Sequence, residues 1–458
     1  MFFTRFVPKH IQYAYRWDAR AAWCSGLYVG MTVPFFGVIA RRDLHASPLE
    51  ISLLISAPFL GHLLSMFIAW HMQNKPKKPY MYWFGMLARL PLFLMYLAID
   101  TPIYILLIIS SQIIGCFTSP AYASMMKDAY PDAYRGRMMG MVRVGSTVMT
   151  MLSGKLVGRL MENGLPFTWV MLIGLAVAVV MIHELQKPLI KRILVGIAIL
   201  VLAYFAAPYL GHVISYRFVF PMGAFIGALG LWMFNHIHEA KTETIDKPFN
   251  VLEGLGTIVA DKHFGLYSLA FFIFGFGNLL QNPLIPLFQV DELHITNDWV
   301  GTLAMVCSGT SALFYAIWGR MMDRQGPLLT VVLSFAIWGI SPIVYANAHS
   351  IPTLLIASVI VGIAGPGLDL TWLNAVLHFT DRENIPRYTA LHTFLVGIRG
   401  LIAPFFGTWL LSVMNLRQCF YVSAGIIWLG ALLMAGVVWF VLIPAQRAQR
   451  AKRRAIPA

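Results

Sequence analysis

The sequence predicts an all-α protein that crosses a membrane many times. Hydrophobic residues make up 58% of the 458-residue chain and charged residues only 12%, roughly half the charged share of soluble proteins. Apolar runs long enough to cross a hydrocarbon core of about 30 Å recur along the whole length. The N-terminal segment lacks an apolar stretch followed by a small-residue cleavage site, so no signal peptide is expected.

Hydropathy predicts about fourteen spanning helices, with both ends of the chain on the same side of the membrane. The predicted spans are 19–40, 51–72, 80–98, 102–126, 137–160, 166–184, 191–209, 214–235, 264–289, 299–322, 327–346, 351–377, 388–412 and 418–443. Twelve spans with a re-entrant pair would fit the same pattern, so that alternative stays open.

The positions of Lys and Arg predict that both ends are cytoplasmic. Most of the 34 basic residues fall in segments on the N-terminal side, including 75–78 and the tail 446–454, as the positive-inside rule requires. The net charge of +14 therefore has a topological explanation, and nucleic-acid binding is not expected. We expect an integral protein of the plasma membrane, which in a bacterium is the inner membrane.

The motifs of the chain exclude several other classes of protein. The four cysteines are isolated inside predicted helices, which favours neither a disulfide nor a metal site. A phosphate-binding loop of the form G-x-x-x-x-G-K-S/T is absent, so ATP is not expected to drive the protein directly. With no catalytic constellation in the sequence, we expect neither an enzyme nor a bound cofactor.

The two ends of the chain resemble each other. VPFFGVIARRDLHAS from residue 33 parallels IPLFQVDELHIT from residue 285, which aligns Pro34 with Pro286. Arg135 aligns with Arg387 at the same spacing. A constant offset over a hundred residues predicts two six-helix bundles that arose by internal duplication.

The duplication sets the predicted domain boundaries. Residues 1–186 form the first bundle and 264–458 the second, which ends in a basic tail. Residues 187–263 hold an inserted pair of spans and a polar linker. Within that linker the apolar residues of 251–259 fall on one helical face, so we expect an amphipathic helix on the cytoplasmic membrane surface.

Two motifs connect the halves to a known family. In the second half GRMMDRQG places a glycine, an acid, a base and a glycine at Gly319, Asp323, Arg324 and Gly326. In the first half the turn Arg135-Gly136-Arg137 enters the predicted fifth helix, whereas AWHMQNKPKK at 69–78 lacks the acid and both glycines. In these motifs, and in its two bundles, the chain resembles the major facilitator superfamily.

The resemblance implies alternating access between two bundles and a gate role for the motifs. In the family the signature carboxylate caps a neighbouring helix when the inner gate is shut. We therefore expect Asp323 near the start of the fifth helix, beside Gly136 and Arg137, where a carboxylate is favoured. Because Gln73 cannot supply this charge in the first half, the inner lock is expected to depend on Asp323.

Charges inside predicted spans are candidates for substrate binding, because such groups usually face a cavity or a partner. The family places the second, fifth, eighth and eleventh helices at the contact between halves. The candidates on these helices are Arg143, Arg399, His62 and His392, with Lys155 nearer the outside. A basic ladder along the pathway would suit an anionic or zwitterionic substrate. Structural cations and packing histidines are the alternative.

Asp369 is the candidate for proton coupling, since it is placed well inside a predicted span. A buried carboxylate beside a histidine can accept a proton, but Asp369 could equally be a structural partner of Arg399 or His392. Asn278, Gln281 and Asn282 precede the helix-breaking Pro283 and are candidates either for substrate binding or for helix–helix bonding. Arg89, in the third helix, has no assigned role.

These residues predict a secondary transporter for a small organic anion or amphipathic metabolite, coupled to protons through Asp369 or a histidine. Its partners would be that solute, H⁺ and the lipid bilayer. One alternative is broad-specificity efflux of drug-like compounds. Another is a membrane sensor or assembly factor that keeps the fold without transport, since fold does not determine function.

Overall fold

The computed structural model describes residues 7–72, 74–164, 175, 197–204, 212–239, 261–377, 379 and 385–442. Every regular element in these ranges is helical, which confirms the predicted fold class. Ten helical segments of the described chain are long and apolar enough to cross a membrane. The predicted number of fourteen is not established, because 166–184 and 191–209 lie mostly outside the described residues, as does the expected amphipathic helix at 251–259.

In the described residues the first half contains eight α-helices, and four of the ten candidate spans lie in it. Its helices are α1 Gln12–Thr32, α2 Phe36–Arg42, α3 Pro48–His71, α4 Lys78–Phe93, α5 Thr101–Cys116, α6 Ser119–Ala129, α7 Asp132–Asn163 and α8 Tyr216–Phe234. α1 and α2 together make one crossing, and α5 and α6 make another. α1 packs against α7 and α8, whereas α4 packs against α5 and α8.

The second half repeats this arrangement. Its helices are α9 Lys262–Gln281, α10 Leu284–Leu287, α11 Asn297–Gln325, α12 Pro327–Trp338, α13 Ile340–Asn347, α14 Leu354–Leu377, α15 Ile385–Leu410 and α16 Leu416–Val437. α9 packs against α15 and α16, as α1 packs against α7 and α8. The halves meet along α7 and α11 and along α3 and α15.

The duplication extends to local backbone geometry. His45 and His294 both adopt positive φ, of 55° and 49°, an uncommon conformation in which histidine is enriched. Two residues later, Ser47 and Thr296 cap the second crossing of their halves by accepting hydrogen bonds from Glu50 N and Trp299 N. The similarity of the two sequences here therefore reflects the same turn and the same helix start.

α8 was predicted as one of two inserted spans, and its packing shows which half it contacts. α8 packs against α1 and α4 in the same way as α16 packs against α9, α12 and α13. Ile214 N donates to Leu160 O at 3.3 Å, which returns the chain to the end of α7. Residues 187–263 were predicted to lie between the bundles; α8, which falls in that range, packs against helices of the first half.

Glycines explain why α8 packs so closely. Gly223 lies against Met31 and Thr32 of α1, and Gly230 lies against Cys24. Small residues at such spacing let two helix backbones approach in a membrane. The spacing in GAFIGALG was the sequence signal for a bundle helix, and hydropathy alone cannot detect it.

We predict that the segment between α7 and α8 can be removed. A chain in which residues 165–212 are replaced by a short glycine–serine linker should fold, with a melting temperature within a few degrees of the full chain. The reason is that Leu160 and Ile214 are already in contact, so closing the shorter loop costs little. Size-exclusion chromatography and thermal unfolding in detergent measure this. Deletion of Tyr216–Phe234 is the control and should abolish folding; the opposite pattern would contradict the placement of α8.

Candidate functional site

The halves are in tight contact at the predicted outer end of α7 and α11. A Cβ on Gly158 would collide with the carbonyl oxygen of Asn297, and a Cβ on Gly301 would collide with that of Gly154. Toward the other end the helices separate. Among the described residues, Gly140 on α7 and Gly319 on α11 have no neighbouring heavy atom within 4 Å of the Cβ position. In the described part of the chain, the contact between the halves is therefore looser toward the predicted cytoplasmic side, and we call the space there the opening.

Polar contacts across the halves reinforce the closed end. Arg41 Nε and Nη2 contact the Asp291 carboxylate at 2.8 and 2.9 Å. Lys155 Nζ lies 2.7 Å from both Asp298 Oδ1 and Thr302 Oγ1. Lys155 is therefore bonded in the outer contact in this conformation.

Further contacts join the two halves at the closed end. Glu162, at the end of α7, accepts a hydrogen bond of 2.9 Å from Asn297 N at the start of α11. A carboxylate is stabilised by the positive end of a helix. Along the other seam Ser52 Oγ donates to Pro404 O at 3.0 Å, and Gly400 lies against Phe59.

Arg143 and Asp369 face each other inside the opening. Arg143 Nη1 lies 3.9 Å from Asp369 Oδ2, and their side chains are 45% and 58% exposed. Arg143 comes from α7 of the first half and Asp369 from α14 of the second. Tyr315 of α11 donates a 2.7 Å hydrogen bond to the same carboxylate. Asp369 thus pairs with Arg143, and neither Arg399 nor His392 is its partner in this structure.

Arg399 and His392 do not line the opening. Arg399 is 7% exposed; its Nη1 donates to Phe271 O, and its guanidinium lies 5.0 Å from the Phe271 ring and against Gly275. His392 is 3% exposed and packs against the rings of Phe271 and Trp372 at 4.5 and 5.7 Å. The predicted basic ladder is therefore not formed in this conformation, and of these cations Arg143 faces the opening.

Two residues of the amide cluster bond each other. Gln281 is 2% exposed, and its Nε2 donates to Asn278 Oδ1 at 3.3 Å. Asn278 and Asn282 are half-buried, and α9 ends at Gln281 beside Pro283. His62 of α3 is half-buried as well. This geometry favours helix packing for Gln281 over contact with a solute.

The signature loop ends α11. Gly326 has φ of 88°, and its N–H donates to Met322 O at 2.9 Å, a backbone geometry that favours glycine. Asp323 and Arg324 are exposed, and neither bonds a described residue. The side chains of Arg135 and Arg137 lie outside the described residues, so the contact expected between Asp323 and the turn at Gly136 stays a prediction.

Sequence reasoning missed several polar residues that the structure places at important positions. Asp291 and Asp298 pair across the halves at the closed end. The sequence signal for Asp291 was Arg41, a cation on the predicted outer side, and the signal for Asp298 was Lys155. Asp18 is buried in α1, one residue before the predicted first span. Arg89 packs within the first half, with its guanidinium 4.5 Å from the Tyr28 ring.

Known proteins and structures resemble this chain. The model of the Major Facilitator Superfamily matches residues 20–185 and 267–458. Efflux pump apf11 of Gibberella fujikuroi is 26% identical over 174 residues, which is 38% of this chain and 30% of that protein. Multidrug resistance protein MdtG of Proteus mirabilis is 28% identical over 166 residues, 34% of this chain and 40% of that protein. The matches thus span less than half of either relative.

A solved structure extends the likeness over the whole fold. The crystal structure of a mutant of the nucleoside transporter NupG superposes with a TM-score of 0.64, covering 93% of this chain and 99% of that one. Sequence identity is 11%, so this likeness concerns the fold alone.

Proposed function

The chain belongs to the major facilitator superfamily, and from this premise we propose that it carries a small organic anion or amphipathic metabolite together with protons. The proposal rests on one observation. Arg143 and Asp369 come from different halves and face each other, half exposed, in the opening between the bundles. Charged groups at such positions usually serve the transported species.

The proposed coupling follows from competition for Arg143. While Asp369 is ionised, it occupies the Arg143 guanidinium. A proton on Asp369 removes that competitor, and Arg143 can then bind the anionic group of a solute. Tyr315, which donates to Asp369 Oδ2 at 2.7 Å, holds the carboxylate in place. Proton and anion therefore bind together, and each raises the affinity for the other.

Alternating access accounts for the closed and open ends. In this conformation the solute enters from the predicted cytoplasmic side. The outer contacts, including Arg41 with Asp291 and Lys155 with Asp298, must separate for the other state to form. These pairs are partly exposed, and each contributes about 0–1 kcal/mol, so a switch between states is energetically accessible. Both termini lie in the cytoplasm in the proposed orientation, in the plasma membrane of a bacterium.

A second candidate is broad-specificity efflux, which the names of the two relatives favour. In that case a cationic or neutral amphipath would occupy the opening, and its movement would be opposed to that of protons. The Arg143–Asp369 pair has no net charge, so an uncharged amphipath would also fit between them. A protein without transport, acting as a sensor or assembly factor, is the third outcome of the test below.

Flux in reconstituted liposomes tests the proposal. We expect aromatic sulfonates, which remain anionic and cannot cross as neutral acids, to enter with protons. A pH dye inside the vesicles records the protons, and the sulfonate retained in the vesicles is measured by its absorbance. Matched amino sulfonates and quaternary ammonium compounds are the controls for charge. Proton movement opposite to that of a quaternary cation would support efflux instead. Liposomes without protein give the background flux. If no flux exceeds this background, both transport proposals are contradicted.

A further inference from the structure

The loop that joins α3 to α4 holds charged groups that the proposed transport step does not use. In its sequence this first-half loop lacks the acid and both glycines of the family signature. It still connects two helix ends whose backbone groups have no partner within their helices, the last C=O groups of α3 and the first N–H groups of α4. The groups that bond them decide how firmly the loop is held.

The start of α4 receives a carboxylate from a distant part of the chain. The N-cap of α4 is Lys77, a residue whose side chain has no acceptor for an N–H group. Glu239, from the segment after α8, supplies two acceptors. Its Oε1 accepts from Lys77 N, and its Oε2 accepts from Lys78 N at 3.2 Å. A carboxylate is also stabilised by the positive end of a helix.

The end of α3 receives a cation from the same loop. Lys77 Nζ donates to Met72 O at 2.5 Å and to Lys75 O at 2.6 Å, and Met72 is the C-cap of α3. A cation is favoured at that end of a helix. Lys77 thus bonds Glu239 through its backbone and the end of α3 through its ammonium group. We call Lys77 and Glu239 the inner clasp.

Contacts within the first half bring Glu239 to this place. Ile237, two residues earlier, is fully buried, and its N–H donates to Phe234 O at 3.0 Å. The ring of His236 stacks on Trp17 of α1 with the centroids 4.1 Å apart. The segment after α8 therefore lies against the first half, and the inner clasp joins the ends of α3, α4 and α8 on the predicted cytoplasmic side.

We propose that Glu239 is a positioning residue for transport, which fixes α3 to its own half through the inner clasp, so that the first half moves as one body. α3 forms the seam with α15, where Gly397 lies against Leu63. A change of contact along that seam acts on α3 first. The inner clasp transmits the movement to α4 and α8, which pack against each other.

Amide hydrogen exchange of the full chain in lipid nanodiscs tests the inner clasp without a substrate. The peptide covering 75–80 contains two prolines, which carry no amide hydrogen. It therefore reports on few amides, and those of Lys77 and Lys78 are the pair bonded to Glu239. We expect Glu239→Ala to speed its exchange by about 10- to 100-fold, the effect of losing a hydrogen bond to a charged group. Unchanged exchange in a folded Glu239→Ala protein would overturn the proposal.

Two further variants make this test specific. Glu239→Gln covers the case in which Glu239→Ala does not fold. It keeps the side-chain size and one acceptor but removes the charge, so the loop peptide should exchange about 2- to 5-fold faster. Asp261→Ala is the matched control, because Asp261 caps α9 by accepting from the N–H groups of His263 and Phe264 at 3.1 Å. It should speed exchange of those two amides alone; equal acceleration of the loop peptide in this control would contradict the inner clasp.

Transport gives the second readout, and this part rests on the proposed function. With an aromatic sulfonate as the probe, we expect Glu239→Ala to lower the maximal uptake rate several-fold and to leave the half-maximal concentration unchanged. The reason is that Arg143 and Asp369 of the proposed site lie on α7 and α14, away from the helices of the inner clasp. An unchanged maximal rate would contradict the positioning role. If the unmodified protein carries no sulfonate, the proposed function fails, while the exchange measurements still decide whether the inner clasp holds the loop.

Discussion

Arg143→Gln is expected to lower anion-coupled proton uptake by about 10- to 100-fold. Glutamine keeps a hydrogen-bond donor but removes the charge that the anion meets. A hydrogen bond to a charged group contributes about 1.5–3 kcal/mol, which corresponds to that range. Asp369→Asn is expected to behave differently. It mimics the protonated acid, so exchange of anions across the membrane continues while accumulation driven by a pH gradient is lost.

The pair of variants separates binding from coupling. Counterflow with equal pH on both sides measures binding and exchange, and uptake against a pH gradient measures coupling. Arg217→Gln is the control, because Arg217 lies at the predicted outer end over the ring of Tyr216 and should leave both rates unchanged. If Asp369→Asn lost exchange as fully as accumulation, Asp369 would be a structural partner of Arg143 and not the coupling residue.

The sequence made Arg143 a candidate for the pathway, because a cation on the fifth helix of such a bundle has few places other than the opening. The same reasoning did not anticipate the surroundings of Arg399. Its guanidinium occupies the space that Gly275 leaves on the facing helix and bonds a backbone carbonyl. Which glycine faces which arginine depends on the rotation of two helices, and hydropathy carries no information about that rotation.

Partners that are distant in the chain were equally hard to predict. Arg143 pairs with Asp369, and Lys155 pairs with Asp298; both pairs join the two halves. The duplication predicted that two bundles would meet, but not the register of α7 against α11. Asp18 was missed because it lies one residue before the predicted first span, although the helix that buries it begins at Gln12.

Because α7 and α11 touch closely at Gly301, we expect Gly301→Ala to shift the balance between the two transport states. The added Cβ would meet the backbone of Gly154 and Lys155, which cannot rotate away as a side chain would. Overpacking of this kind costs about 1–3 kcal/mol and acts only in the state in which the outer ends touch. We therefore expect the outward-open state to gain about 5- to 100-fold in population. The partly exposed pair of Lys155 and Asp298 is too weak to oppose this.

Labelling of a cysteine between the halves measures that shift. Met151 contacts the Cβ position of Gly309, so Met151→Cys lies just inside the closed end. In a background without the four native cysteines, an impermeant maleimide added from outside should react faster by the same factor. Gly154→Ala is the matched control on the same seam, because its Cβ would meet Gly30 O and Ala304 Cβ at ordinary distances of 3.5 and 3.7 Å. Equal labelling rates in both alanine variants would mean that α7 and α11 do not form the outer gate, and that the closed end must open along α3 and α15.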